Sequence, residues 1–418
     1  MSDFVLAQCS DLHLNYKATR RVNAQGVNIR EVDGYLAFAK IVSEIIEERC
    51  DAALFCGDTF HTPTPSMRAI VFAQNQFRRL ANAGVKVYIL SGNHDVMDEI
   101  SNIAASRVLH DPDRGIYSHA EPYVHHEIGD GIHIHMVSHH MYSAQAETMN
   151  LVKPIESEIN IFSTHGSCID PLLKEKLHTN QSPREIVIPE FLLSDQDWSY
   201  TLLGHIHERG WVGSRDKKTD TANKKIYYNG SLIRRGFSDK QVPLGCGWTK
   251  WTIGSDGIFK ADPKTVPQRP QRDFTPIKTE DLTAAEITEK IIENLKTTQI
   301  HGTEFNPKIA PILRQQILNI TPAKFASLNW NAIHQNSEHA LQWAISQVKK
   351  TEESESNSVS TEVDVDSVLN GGDIVQIYDN WIKKSELLKD MKDDDLETIT
   401  AQAKKYLKLG QETTLEAE

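Results

Sequence analysis

Five short polar clusters in the first half of the chain carry residue types that can do chemistry. They are Asp11-Leu12-His13, Gly57-Asp58 with His61 three residues on, Gly92-Asn93-His94-Asp95, His165-Gly166, and Gly204-His205-Ile206-His207. Asp11, His13, Asp58, Asn93, His165, His205 and His207 together offer seven oxygen and nitrogen donors. That is too many for one tetrahedral zinc and suits two divalent ions of higher coordination number. A carboxylate shared between such ions would hold them roughly 3.5–4 Å apart, where they activate a water and clamp the phosphoryl oxygens of an in-line displacement. Each fragment alone is a frequent accident, whereas the full set in this order is not. Fifteen of the 18 histidines precede residue 210, which again points to a nitrogen and oxygen metal site.

The elements that must position these clusters are short apolar runs at 4–8, 52–56, 85–90, 132–137, 159–163 and 200–203, each bounded by turn residues and read as a strand. Each of the five clusters directly follows one of them. Amphipathic stretches at 34–49 (Leu36, Ile41, Ile45, Ile46) and 66–83 (Ile70, Phe77, Leu80) predict helices between the early strands. Such alternation implies an α/β layered sheet, and functional groups then gather at the carboxyl ends of its strands. The later strands crowd together, so the second half is expected to be mixed or antiparallel.

Four parts follow from the pattern: 1–262, carrying the motifs; a smaller α+β part at 277–348 beyond a proline-bearing stretch; an acidic, Ser/Thr-rich flexible linker at 351–367; and a helix-loop-helix at 368–410. In the smaller part, helices are expected near 284–295, 322–331 and 338–349, with a strand near 312–320. The net charge of −12 is concentrated at the end, where residues 351–418 hold 17 acidic and 7 basic side chains. The near-neutral remainder can still carry a basic groove. Five scattered cysteines without a C-x-x-C pair read as reduced thiols. No run of about 18 apolar residues occurs and residues 1–9 lack a signal-peptide pattern, so the expectation is a soluble cytoplasmic protein with no membrane partner.

The order Asp-x-His, Gly-Asp, Gly-Asn-His-Asp, His, Gly-His-x-His resembles the calcineurin-like metallophosphoesterases. Gly57-Asp58-Thr59-Phe60-His61 followed by prolines, and Tyr228-Asn229-Gly230-Ser231 with Phe237, resemble the nuclease subunit of SbcCD-type double-strand-break repair complexes. The resemblance implies a layered metallophosphoesterase β-sandwich flanked by helices, with a small α+β capping domain and a C-terminal helical tail. It implies that Asp11, His13 and His207 bind one metal, that Asp58 bridges, and that Asn93, His165 and His205 hold the second, manganese being the usual ion. His94 would contact the scissile phosphate and protonate the departing sugar oxygen, with His61 orienting or supporting it. An imidazole suits that task because its unperturbed pKa lies near neutrality.

The implied function is double-strand 3′-to-5′ exonuclease and single-strand endonuclease activity in DNA repair and recombination, in partnership with a coiled-coil ABC-type ATPase of the SbcC type. A homodimer through helices at 66–83 and 97–110 would complete a heterotetramer. Two other readings stay open: a phosphodiesterase for small phosphoesters, and a DNA-tethering scaffold with a vestigial nuclease. Arg234 and Arg235 read either as DNA phosphate contacts or as a solvated pair. Ile377, Tyr378, Trp381 and Ile382, on one face of the tail, either grip the ATPase coiled coil or fold back as a local hairpin.

Overall fold

The computed structural model describes residues 3–98, 103–138, 151–168, 187–193, 197–212, 225–237, 245–254, 257, 259–299 and 302–348. Period-2 patterning builds two six-stranded sheets. The first runs in the order Phe259–Thr265, Gly247–Ile253, Phe4–Cys9, Ala52–Cys56, Lys86–Leu90, Ile116–His119. The second runs Gly210–Trp211, Ile226–Tyr228, Tyr200–Gly204, Ile159–His165, Ile132–Val137, Tyr123–Gly129. The centre of each sheet is parallel. The second is mixed, as the crowding of its strands predicts, with antiparallel pairing at its two edges.

Alternate residues of one strand face opposite layers. Leu6, Leu54, Cys56, Tyr88 and Leu90 face the second sheet and pack on Ile134, Met136, Ile161, Leu202 and Tyr227. Ala7, Cys9, Ala53, Phe55, Val87 and Ile89 face the helices instead. Those helices, Ile29–Glu47 and Met67–Asn82, start at the side-chain caps Asn28 and Ser66. They press Phe38, Ile41, Ile45, Phe77 and Leu80 onto the sheet, with Phe38, Phe55 and Phe77 meeting edge to face. Burial of each such ring stabilises the fold by roughly 1.5–3 kcal/mol. All five cysteines are buried, and burial pushes the Cys50 and Cys56 thiols up to about 12.

A four-stranded sheet of Gln271–Asp273, Ile277–Lys278, Ile312–Leu318 and Gln342–Val348 is covered by the helix Ala284–Lys296, which opens on a capping box at Thr283 and Glu286. Here two expectations are corrected. The helix expected at 338–349 is not formed over 338–348: Gln342–Val348 is a strand paired in parallel with Ile312–Leu318 along its whole length. The helix expected at 97–110 is not formed by the described residues of that stretch either. Val96–Asp98 pairs with Ile103–Ala104, and a 3-10 turn follows at Ala105–Leu109.

The chain divides into a unit of residues 1–349 and one of 350–418. The second, with the expected linker and helix-loop-helix, lies outside the described residues, as do Ile377, Tyr378, Trp381 and Ile382. No helix among the described residues is long and apolar enough to cross a membrane.

Candidate metal centre

Both parallel sheets end at the same edge, and their loops are tied there. The loop after Phe4–Cys9 runs beside the loop after Ala52–Cys56. Asp11 N donates to Gly57 O at 3.1 Å, His13 N to Asp58 O at 2.9 Å and Leu14 N to Thr59 O at 3.0 Å. A third loop joins through the Asp95 carboxylate, which accepts from Gly92 N (3.0 Å), Thr59 N (3.1 Å) and Phe60 N (2.8 Å). From the second sheet, His205 N donates to Asp11 Oδ2 at 3.1 Å. Asp11, His13, Asp58 and His205 all sit at positive φ (51°, 44°, 53° and 93°). Each such non-glycine residue costs of order 1–3 kcal/mol and persists only where surrounding bonds over-determine it. Strain therefore collects on the residues whose side chains converge.

That convergence is tight. Asp58 Oδ2 lies 3.4 Å from His13 Nε2 and 3.3 Å from His165 Nε2. Asp11 Oδ1 lies 3.5 Å from His207 Nε2 and 3.8 Å from His13 Nε2, and the two imidazole nitrogens are 3.3 Å apart. Asn93 Oδ1 is 3.1 Å from His165 Nε2. The His165 Nδ1–H donates to the Cys56 carbonyl at 2.8 Å, which turns Nε2 toward the site as the nitrogen a metal would take in place of its proton. Among the described residues three sets of possible ligand atoms result: Asp11, His13 and His207; Asp11, Asp58 and His165; and His13, His61 and His94. The first two share Asp11.

Burial alone would push both carboxylates up, yet the facing histidines overcome it and hold Asp11 and Asp58 well below the usual range. Burial, with the Arg235 charge, keeps His13 neutral, and burial beside His165 lowers His205 to about 4. His165 alone is raised, to about 9: burial opposes its charge, but Asp58 outweighs it. Two buried carboxylates thus share one space with His13 and His205, whose charge burial disfavours, and with His165, whose charge Asp58 favours. Asp11 Oδ1 has no hydrogen-bond partner although it is buried, an arrangement that costs stability unless a cation completes it. The donor set fits divalent metal.

The remaining candidates stand as follows. His205 belongs to none of the three sets, and its ring meets His165 edge-on at 5.2 Å. His94 lies beside the centre: its amide donates to Asp58 Oδ1 (2.9 Å), its ring stacks near His61 at 5.3 Å, and its Nδ1–H donates to the His61 carbonyl at 2.9 Å. Burial and Arg235 lower His61 to about 4. Arg235 reaches the site, with Nη1 3.4 Å from His61 Nδ1 and Nη2 3.1 Å from His207 Nδ1. Arg234 is held by its backbone instead, its N–H donating to Gln268 Oε1 at 3.0 Å.

The Tyr228–Ser231 motif is structural. Tyr228 donates to Gly166 O within the second sheet, and Ser10 donates to Gly230 O, closing the first sheet's loop on the second's. Tyr16, whose ring lies 5.0 Å from that of His61, carries no signal in the sequence.

Gly92 gives a direct test of the close approach. A Cβ there would stand 2.3 Å from both Asp58 N and Asp58 Oδ1, closer than real Cβ atoms come. Gly92→Ala is expected to displace the carboxylate and cost about 10–100-fold in metal affinity. Metal titration followed by melting temperature measures this, and an unchanged affinity would show that the third loop has room to move.

Residues 4–221 match the signature of the calcineurin-like phosphoesterases. The chain is 26% identical over 200 residues to the DNA double-strand break repair protein Mre11 of Methanocaldococcus jannaschii, covering 48% of this chain and 50% of that one. It is 26% identical over 217 residues to the uncharacterized metallophosphoesterase YhaO of Bacillus subtilis, covering 50% of each. Among solved structures, a dimetal phosphatase from Danio rerio is 12% identical with a TM-score of 0.35, covering 60% of this chain and 93% of that one. The chain spans about half the length of the two relatives it matches in sequence. With residues 4–221 carrying both the family signature and all five converging loops, the chain belongs to the calcineurin-like phosphoesterases.

Proposed function

We propose that this phosphoesterase is a two-metal DNA nuclease of the double-strand-break repair type. The observation that carries the metal chemistry is Asp58 Oδ2, poised between His13 and His165 at 3.4 and 3.3 Å while Asp11 Oδ1 faces the same space. In this reading Asp11, His13 and His207 would hold one ion, Asn93, His165 and His205 would hold the other, and Asp58 would be shared by both. The ions, manganese in this reading, supply positive charge at the phosphoryl oxygens and an activated water. The DNA substrate is supported by the likeness to the repair protein Mre11.

The chain's own residues do the rest. Because the His94 Nδ1–H is given to the His61 carbonyl, Nε2 is the nitrogen left to carry a proton to the departing sugar oxygen. His61, neutral and stacked on His94, supports that ring. Arg235 offers a guanidinium to a substrate phosphate at the rim of the site, and Arg234 adds basic charge beside it.

Residues 277–348 act as a cap that sorts DNA ends, and 368–410 dock on a coiled-coil ABC-type ATPase across the linker 351–367. A second copy of the chain covers Met67 and Val71, which are 71% and 46% exposed on the helix Met67–Asn82, the part of the expected helical interface that is formed. The setting in this reading is cytoplasmic. Digestion of end-labelled duplex DNA with manganese present, compared with a chelator, tests the activity. Metal-dependent trimming from 3′ ends is expected; absence of cutting with a small phosphodiester still hydrolysed would mark a small-substrate enzyme.

A further inference from the structure

The segment that carries Arg235 is fastened from two sides. From the sandwich, Tyr16 donates to the Arg235 carbonyl at 3.1 Å, and the Arg30 guanidinium donates to the Arg234 carbonyl. From the small α+β part, Ala310, Ile312 and Leu341 form a cluster with Ile29, and Phe237 and Phe305 pack against it. The Arg314 guanidinium stands 4.5 Å over the Phe237 ring and is itself paired with Asp273 at 2.8 Å.

Asp33 closes the circuit. Its carboxylate accepts a two-pronged pair from Arg269, Nε and Nη2 each at 2.7 Å, and a third bond from Arg30 Nη1 at 2.6 Å. Arg269 also donates to the carbonyls of Ala310 (2.8 Å) and Pro307 (2.9 Å), just before the strand Ile312–Leu318. The Arg269 side chain is 4% exposed and that of Asp33 16%. Forked, charge-assisted bonds so sheltered from water fix direction as well as distance.

A loop arginine serves a phosphate well only if its backbone is already in place, because freedom lost on binding weakens the interaction. Both carbonyls flanking the Arg235 amide are held here, and the ring two residues on is clamped by the small part. We propose that the seating of the small α+β part on the sandwich sets where Arg235 stands. Asp33, Arg269 and Phe237 are positioning residues that act through the 234–237 strap on the phosphate-binding strength of the site. The proposal rests on reading Arg235 as a phosphate contact, and it accounts for Phe237, which no metal chemistry requires.

Arg269→Gln and Phe237→Ala test it, each alone and combined with Arg235→Gln, on bis(p-nitrophenyl) phosphate and on duplex DNA. Each single variant is expected to raise KM about tenfold on a cleaved substrate with kcat changed less than about twofold. In the Arg235→Gln background each should add less than about twofold, since the arm it positions is gone. Effects that multiply fully with Arg235→Gln, or that fall on kcat alone, overturn the proposal. Arg269→Lys guards against a folding defect: it keeps the charge and loses the fork, so KM should rise while the melting temperature stays near that of the unsubstituted chain. If the unsubstituted chain hydrolyses the small diester but leaves DNA intact, the nuclease reading fails and the cycle is still decided on the small diester.

Discussion

Asp58→Ala is expected to reduce bound metal from two ions to at most one and to slow phosphodiester hydrolysis by about 10³-fold or more. The side chain does three things at once. Its Oδ2 stands between His13 and His165 at 3.4 and 3.3 Å, its Oδ1 accepts the His94 amide, and its charge offsets the burial of His165. Loss of several kcal/mol of charge stabilisation at a phosphoryl transition state corresponds to that factor, at about 1.4 kcal/mol per tenfold. Removing the acceptor also leaves the partly buried His94 amide without its partner, which costs at most about 1–3 kcal/mol.

Asp58→Asn separates these effects, because its amide oxygen can keep the bond to His94 while the charge is gone. Metal content per chain, turnover and the rise in melting temperature on adding manganese are the readouts. A ligand that binds only the folded state must raise that temperature. The unsubstituted chain should show a clear rise and Asp58→Ala little. Two ions retained at full turnover would remove Asp58 from the centre.

Short local signals mark the loops that converge here, whereas two elements around them leave none, for a physical reason. Ligands at strand ends depend on local order, a strand followed by a sharp turn, and residues such as Gly57 and Asp58 mark those turns directly. The strand Gln342–Val348 depends on a partner 30 residues earlier. Its apolar residues Trp343, Ala344, Ile345 and Val348 suit a helix face as well as a strand, so only the pairing decides. The stretch at 97–110 fails likewise, because a two-stranded bridge between Val96–Asp98 and Ile103–Ala104 takes the place of helical bonds. Asp95 shows the intermediate case. Its place in the Gly-Asn-His-Asp run is visible, but its task of binding three amides from two loops appears only when Gly92, Thr59 and Phe60 are brought together. Burial, with the nearby Asp58 charge, raises its carboxyl to about 7. The bonds of Arg269 to Asp33 and of Tyr16 to the Arg235 carbonyl span more than 200 residues and leave no local trace.

His94→Asn is the substitution that separates proton delivery from metal binding. The amide nitrogen of the new side chain is roughly isosteric with Nδ1, so donation to the His61 carbonyl can survive, as can the backbone bond from residue 94 to Asp58 Oδ1. What disappears is Nε2. Metal content should therefore remain at two ions per chain while kcat on DNA falls about 10²–10⁴-fold, the range a positioned general acid supplies. The loss should depend on the leaving group. A departing sugar alkoxide needs a proton, whereas p-nitrophenolate departs readily without one, so bis(p-nitrophenyl) phosphate should lose less than about tenfold by the same reasoning. Equal losses on both substrates would show that His94 binds phosphate rather than delivers a proton. Loss of an ion from His94→Asn would make His94 a ligand, completing the third set that His13, His61 and His94 already outline. The contrast with Asp58→Ala is then decisive: one substitution should remove metal and activity together, the other activity alone.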